Sequence, residues 1–472
     1  MERKDRVLDP ALLEQQMEYA RRVRQIFESR GRQPLACTHT FGCQQNEADT
    51  ELIRGLLAEM GYGFTEEEDR ADLILLNTCA IRDHAEKKVF GNLGELSHRK
   101  EHNPDLITCL CGCMAQQERV MEKVKKSYPY IDIVFGTHAL YRLPQMLLKK
   151  LQTGKRVFDI QGEEQGVILE GVTPIRKPGV RAWLSIMYGC NNFCSYCIVP
   201  HVRGRERSRR PEVILQEFEK LVAQGYRDIT LLGQNVNSYG KDLDCGWDFP
   251  RLLRAINELP GDFRVRFMTS HPKDATPALF DAMAECDKVC KAIHLPVQAG
   301  SDRVLSEMNR RYTAEHYMSL VNYAKAKMPE LCMTSDIIVG FPGETTPEFE
   351  ETLSLLEQVR FDSLFTIIYS PRPGTRAAEL PDPMTRAEKQ VNFDRLLETQ
   401  NRISRERNDA CLDRVFTVLV DGESEDPRYN LSARTDGFKL VYLQGDKSLI
   451  GQYVDVRIVR STTWLLFGEA VN

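Results

Sequence analysis

Long apolar runs are missing from this sequence of 472 residues. Its longest, such as DLILL at 72–76, fall far short of the roughly 20 residues that a helical membrane span requires. The opening stretch, MERKDRVLDPALLEQQMEYARRVRQIFESR, has no apolar core and so is not a secretory signal. No membrane association and a cytoplasmic location are therefore expected. An excess of positive charge is missing as well. The formal net charge is −5, so any contact with nucleic acid must rest on local patches. Fourteen cysteines without an export signal exclude a disulfide framework in a reducing compartment. They leave metal ligands, reactive thiols and small core residues. One lack is local: Cys190, Cys194 and Cys197 in YGCNNFCSYC stop at three thiols, where closed metal sites use four ligands.

What is present reads as an α/β protein of several domains. Residues 1–33 form a charged helical arm. From 34 to 151, the apolar runs LACTHTFG, DLILLNT, LITCLCG and IDIVFG each precede a helical pattern, the signature of a parallel sheet flanked by helices. Residues 152–175 lose that rhythm and read as a linker. A second alternation, 176–406, carries RAWLSIMYG, DITLLGQN, RVRFMTS, KAIHLPVQA, CMTSDIIVGF and SLFTIIYS. Six such units predict a partial (β/α)6 barrel, with chemistry at the C-terminal strand ends. Residues 409–472 switch to short β-runs (VFTVLV, FKLVYLQ, YVDVRIV, TWLLFGE) and predict a small β-barrel.

C-x3-C-x2-C follows the first strand of the central domain. Judged by residue type, zinc and an iron–sulfur cluster both fit, and His201 is a weak candidate for a fourth ligand because PHVRG runs away from the thiols. Three thiolates on a four-iron cluster leave one iron open for a small molecule. Cys43, Cys79 and Cys113 form a second set, 36 and 34 residues apart. Each follows a strand and precedes a helix, so a parallel sheet would bring all three to one edge. Helix N-termini there favour thiolate. Cys111 competes with Cys113, which is preferred because it lies nearer the strand end. Cys37, Cys109, Cys111, Cys245, Cys286, Cys290, Cys332 and Cys411 read as structural.

The spacing of Cys190, Cys194 and Cys197, with Tyr196 before the last thiol, resembles the signature of radical S-adenosylmethionine enzymes. Together with the N-terminal three-cysteine domain and the C-terminal β-domain, the chain from about 35 to 470 resembles the methylthiotransferase family. YGCNNFCSYCIVPHVRGRERSR, LLGQNVNSYG, HLPVQAGSDRVLSEMNRRYT, DIIVGFPGET and YSPRPGTRAA are similar to its tRNA-modifying branch. The resemblance implies two 4Fe-4S clusters, one on Cys190, Cys194 and Cys197 and an auxiliary one on Cys43, Cys79 and Cys113. It implies S-adenosyl-L-methionine at the open iron, near Tyr196, Gly233, Gln234, Gln298 and Ser301. It further implies a TRAM-type RNA-binding domain at the C-terminus, with Ala433 where the family tends to have glycine. No side chain is expected to act as an ordinary acid or base, because a radical from the cofactor does the difficult step.

The activity so implied is methylthiolation of carbon 2 of N(6)-dimethylallyladenosine at position 37 of tRNA. Two S-adenosylmethionine molecules are consumed, one as methyl donor and one as radical source. Partners are tRNA, a flavodoxin- or ferredoxin-like electron donor and a sulfur donor, with a monomer as the working form. Rival readings keep the chemistry but act on threonylcarbamoyl adenosine or a ribosomal-protein aspartate, or make the chain a non-catalytic metal-containing RNA-binding protein. HVRGRERSRR at 201–210 supplies Arg203, Arg205 and Arg207 as a cationic rim for RNA phosphates; the alternatives are a solvated or salt-bridged loop, or a buttress by some of these arginines for the loop that carries the cluster. The C-terminal domain from 408 has ten acidic against seven basic residues. RNA binding there depends on clustering of Arg428, Arg434, Lys439, Arg457 and Arg460, with Tyr429, Phe438 or Trp464 for stacking. Trp464 is expected in the core.

Overall fold

A computed structural model describes residues 6–80, 83–161 and 166–471, with the backbone alone for 83–88. It divides into two compact units. The first runs to Lys177 and includes Tyr188–Asn191 and Ile198–Arg207; the second holds Pro178–Met187, Asn192–Cys197 and the chain from Ser208 onward.

Six parallel strands organise the first unit: β1 (Leu35–Phe41), β2 (Gly63–Phe64), β3 (Leu73–Thr78), β4 (Ile107–Gly112), β5 (Ile133–Phe135) and β6 (Val157–Asp159), in the order β2-β1-β3-β4-β5-β6. Every residue of β3 and β4 is buried, which is why LILLNT and ITCLCG are near-continuous apolar runs. One face packs on α1 (Pro10–Ser29), α2 (Gln44–Glu59) and α5 (Leu143–Thr153), the other on α3 (Asp83–His102) and α4 (Glu118–Ser127).

Two expectations change here. The N-terminal arm is a packed helix: Asp9 caps it, and Ala20, Val23 and Phe27 enter the core of the sheet. Its charged residues occupy the remaining faces, and they masked an apolar stripe of period 3.6. The stretch read as a linker contains β6, pairs Val7 with Ile168, and hydrogen-bonds the Ile175 amide to the Glu51 carbonyl at 2.9 Å. Three-residue strands such as β6 are too short to show a period.

In the second unit, the six expected strands are present: β7 (Arg181–Ser185), β8 (Asp228–Leu232), β9 (Arg264–Phe267), β10 (Ala292–His294), β11 (Cys332–Val339) and β12 (Ser363–Ile368). They form two parallel three-stranded sheets, β9-β8-β7 and β10-β11-β12, each backed by helices: an open, partial barrel. A closed five-stranded barrel follows, made of β13 (Val415–Glu423), β14 (Leu431–Arg434), β15 (Leu440–Leu443), β16 (Tyr453–Ser461) and β17 (Leu466–Ala470). The strand not anticipated, LSAR, spans only four residues.

Within the second unit, the small barrel is bound to the partial barrel through buried arginines. Arg264 donates to the Arg434 and Thr417 carbonyls (2.9 and 2.8 Å), and Arg266 to those of Asp436 and Thr435 (2.9 and 3.0 Å) while pairing with Asp228. The guanidinium groups of Arg266 and Arg434 both stand over the Phe438 ring, and Lys439 pairs with Asp362. Arg434 and Lys439 therefore belong to this seam rather than to an RNA-facing surface, while Phe438 borders the seam and stays exposed. Trp464, expected inside, is 66% exposed. No helix among the described residues is long and apolar enough to cross a membrane.

Candidate metal and cofactor centres

Strand register places the first set of thiols. Phe41 lies opposite Thr78, and Thr78 opposite Gly112. Cys43, Cys79 and Cys113 come one or two residues later, so all three sit at the C-terminal edge of adjacent strands. Gly112 makes the last turn: its φ is +94°, and a Cβ there would stand 2.3 Å from Asn77 Oδ1 and 2.5 Å from the Thr78 carbonyl. That left-handed residue separates Cys113 from Cys111, which stays in the apolar core with Cys109. Gly112 thus sets Cys113 apart from Cys111 in a way that alternation alone did not display.

A buried amide network holds the edge. Asn46 Nδ2 donates to Asn77 Oδ1 and the Thr78 carbonyl (3.1 and 3.2 Å), and Asn77 Nδ2 returns bonds to the Asn46 carbonyl and Thr50 Oγ1 (2.9 and 3.0 Å). Both asparagines are wholly buried, and such a network tolerates one geometry only. Cys43 occupies the N-cap of α2. A hydrogen bond with Cys79 pulls its thiol down to about 6 against desolvation, helped by Arg203 and the Asn46 and Gln45 amides. Burial pushes the Cys113 thiol up to about 11, with Arg203 opposing. Among the described residues no three His, Cys, Asp or Glu side chains stand close enough for a single ion; a four-iron cluster spreads its thiolates more widely. Three soft donors at one edge, one already inclined to thiolate, fit such a cluster.

The expected cationic rim is largely absent. Arg203 and Arg207 are 5% and 6% exposed, leaving Arg205 and Arg210 at the surface. Arg203 donates Nε–H to Cys113 Sγ at 3.1 Å and pairs with Asp49 at 2.6 Å. Arg207 donates to the Arg203 and Arg205 carbonyls, both at 2.9 Å. An arginine run was legible in the sequence; burial of alternate members was not.

In the second unit, a clamped loop carries Cys194, Tyr196 and Cys197. Ser195 exchanges backbone bonds with Met308 and Ala377 (3.0 and 2.8 Å), and Asn309 Nδ2 donates to the Asn192 and Phe193 carbonyls (3.2 and 2.9 Å). Arg310, buried, donates to Cys194 Sγ and Tyr196 Oη, both at 3.4 Å, and to the Pro296 carbonyl at 2.5 Å. His271 Nε2 stands 4.0 Å from Cys194 Sγ, and burial followed by Arg310 and Lys273 drives its pKa far down, so the ring is neutral. Cys190 is buried and binds the Gly204 carbonyl through its amide at 3.1 Å within the first unit. Seven of the eight cysteines read as structural are buried; Cys245 is exposed.

Around that loop the strand ends are strained and polar. Phe193, Thr269 and Gln298 have φ of 48°, 70° and 77°, conformations that cost about 1–3 kcal/mol each. Asn192 Nδ2, Asn237 Oδ1, Ser270 Oγ and Gln298 Oε1 are buried with no hydrogen-bond partner among the described residues. Unmet groups of this kind are expensive unless a polar ligand takes them. They fit a ligand with amino, carboxylate and hydroxyl groups, as S-adenosylmethionine has. Gly233 lies where a Cβ would meet Met187 at 2.6 Å, Gln234 is half-buried, and Ser301 is buried at a helix N-terminus. Tyr196 joins a small apolar cluster with Ala299, Val304 and Phe341. Asp49, His271, Asn309 and Arg310 were not anticipated; the last two lie in the quoted run EMNRRYT, where a pair of arginines after a helix was the available signal.

Comparison with known proteins agrees with this architecture. Residues 184–356 match the radical SAM superfamily, residues 36–136 an uncharacterized protein family, UPF0004, and residues 410–471 the TRAM domain. Among solved structures, the radical S-adenosylmethionine methyltransferase TsrM from Kitasatospora setae superposes with a TM-score of 0.55 at 14% identity, over 74% of each chain. The fold and site define an enzyme of the radical S-adenosylmethionine class. Two curated relatives are each named tRNA-2-methylthio-N(6)-dimethylallyladenosine synthase. The one from Acetivibrio thermocellus is 51% identical over 94% of this chain and 92% of its own length. The one from Clostridium perfringens is 49% identical over 93% and 98%. The chain belongs to the methylthiotransferase family of radical S-adenosylmethionine enzymes.

Proposed function

We propose that this enzyme adds a methylthio group to carbon 2 of N(6)-dimethylallyladenosine, at position 37 of tRNA. The carrying observation is the identity of about half the residues, over nearly the whole chain, with relatives bearing that name. In this reading Cys190, Cys194 and Cys197 hold the 4Fe-4S cluster that binds S-adenosylmethionine, and Cys43, Cys79 and Cys113 hold a second one. When bound, these groups supply the radical and the sulfur chemistry that acid–base side chains lack. The chain's own residues position and exclude. Asn192, Asn237, Ser270 and Gln298 offer the polar contacts for the cofactor, and Arg310 holds the Cys194 loop while donating to its sulfur. Reducing equivalents and sulfur come from separate donors, the former of flavodoxin or ferredoxin type, and the enzyme works as a monomer.

One further observation favours a substrate with an apolar substituent over threonylcarbamoyl adenosine or an aspartate. On β12, Phe365 and Ile367 are 51% and 48% exposed, opposite Asp336 and Ile338 of β11, on the face away from the helix-packed core. His294 shares that face, edge-on to Phe365 and 3.3 Å from Asp336. Apolar strand residues left open inside a partial barrel suit a dimethylallyl group.

The test is expression in a host lacking its own enzyme, with tRNA nucleosides read by mass spectrometry. The parent should yield the methylthio nucleoside, and Cys190→Ala/Cys194→Ala/Cys197→Ala none; equal signals from both would reject the assignment. Anaerobic protein should carry about eight irons, whereas stoichiometric zinc would support the RNA-binding alternative.

A further inference from the structure

We propose that Arg203 is a positioning residue that raises the reduction potential of the cluster on Cys43, Cys79 and Cys113. This rests on the reading of those thiols as cluster ligands. Arg203 ends the short helix α6 (Val199–Arg203) and lies six residues after Cys197 in the chain. Its Nε–H points at Cys113 Sγ from 3.1 Å. Its Nη2 is held by Asp49 Oδ2 at 2.6 Å, and Gln45 Nε2 steadies the other Asp49 oxygen at 3.2 Å. Gln45 and Asp49 are on α2, the helix that Cys43 caps, so the same helix carries one thiol and aims a donor at another. The α6 backbone is tied down as well: the Arg203 carbonyl accepts from Arg207 at 2.9 Å and the Val202 carbonyl from Thr137.

Arg203, Asp49 and Gln45 are 5%, 8% and 5% exposed. A buried guanidinium is costly unless its charge and donors are met, and here Asp49 meets the charge while the Nε donor is turned to sulfur. A purely structural ion pair would not need that orientation. Donors to cluster sulfurs, and positive charge beside them, favour the reduced, more negative state and so raise the potential. The direct Nε–H contact is with Cys113, and the Arg203 charge acts on Cys43 as well.

The experiment uses the full chain with Cys190→Ala, Cys194→Ala and Cys197→Ala, reconstituted anaerobically with iron and sulfide, so that only the first-unit cluster remains. Its midpoint potential is read by titration with paramagnetic resonance detection, in this chain and with Arg203→Gln or Arg203→Lys added. Arg203→Gln should hold about four irons and titrate at lower potential, with Arg203→Lys between the two. A loaded cluster whose midpoint is the same in all three overturns the inference while leaving the cluster assignment intact. A parent that binds no iron removes both. Should Arg203→Gln fail to load, the unsubstituted Arg203 chain grown on 15N-arginine decides: a guanidinium nitrogen coupling to the reduced cluster is expected, and its absence overturns the proposal.

Discussion

Cys43, Cys79 and Cys113 are delivered by three separate strands, whereas Cys190, Cys194 and Cys197 lie within eight residues of chain. The two arrangements are held by different means. At the dispersed site the sheet register sets the spacing, and the Asn46–Asn77 network locks the strand ends. At the local site, Cys194, Tyr196 and Cys197 sit on a loop held by three contacts: Ser195 Oγ donates to the Glu307 carbonyl, Asn309 donates to the Phe193 carbonyl, and Arg310 donates to the Cys194 sulfur. The first depends on the fold of a whole unit, the second on a clamp. A dispersed ligand set trades local strain for long-range dependence: damage far along the sheet reaches it, while the loop site carries its own strain at Phe193 and at the neighbouring strand end, Gln298.

The sharpest break between them is ligand removal. Cys43→Ala/Cys79→Ala/Cys113→Ala and Cys190→Ala/Cys194→Ala/Cys197→Ala should each keep about four of about eight irons, and each should abolish the methylthio product. Iron analysis with nucleoside mass spectrometry checks this. A first variant that kept all its iron would show the dispersed trio to be structural.

Next in size is a change that touches only the strand edge. Gly112→Ala puts a Cβ 2.3 Å from Asn77 Oδ1 at a φ of +94°. A loss of about 2–4 kcal/mol in the stability of the first unit is expected. Half the iron should go with it, while the cluster at the loop persists. Thermal unfolding and iron content read both effects, and equal loss from both sites would contradict the distinction.

These two tests also mark what was legible beforehand. C-x3-C-x2-C is written in one loop, so spacing displayed it. The dispersed trio was recoverable because each thiol occupies the same place in successive strand–helix units. What escaped was the surroundings: Asp49 and Arg203 are 154 residues apart, and nothing local says which arginine of a basic run turns inward or what it meets. The seam at the small barrel was hidden for the same reason, since Arg264 and Arg266 read as polar positions of a strand until Arg434, Thr435 and Asp436 appear beside them. Short elements, β6 and β14, lacked the length for a period to emerge.

The apolar subsite proposed for the substrate lies in the second unit. Phe365→Asp should lower kcat/KM for tRNA bearing dimethylallyladenosine by about tenfold, the loss of roughly 1.5 kcal/mol of apolar contact, with Phe365→Leu recovering most of it. Iron content should not change at either site. Steady-state rates on tRNA isolated from a strain without the enzyme provide the check, and an unchanged ratio would move the apolar subsite elsewhere.

The smallest effect separates the two units by acidity. Around Arg203 the first unit buries an ionised pair; behind the cofactor strands, the second buries Glu344, whose carboxyl burial raises to about 7 although the Gly340 amide donates to it at 2.6 Å. An unfolded glutamate ionises near 4.5, so between 4.5 and about 7 the unfolded chain releases a proton that the fold retains. Stability from this group is therefore fully present below 4.5 and is lost as pH rises through about 7, by on the order of 1–3 kcal/mol. Glu344→Gln should flatten that slope, because a neutral amide keeps the Gly340 contact without the ionisation. Denaturant unfolding of both chains at pH 5, 6, 7 and 8 measures it. Parallel curves for the two chains would mean that Glu344 is ionised in the fold throughout, with Lys389 as the charge that holds it.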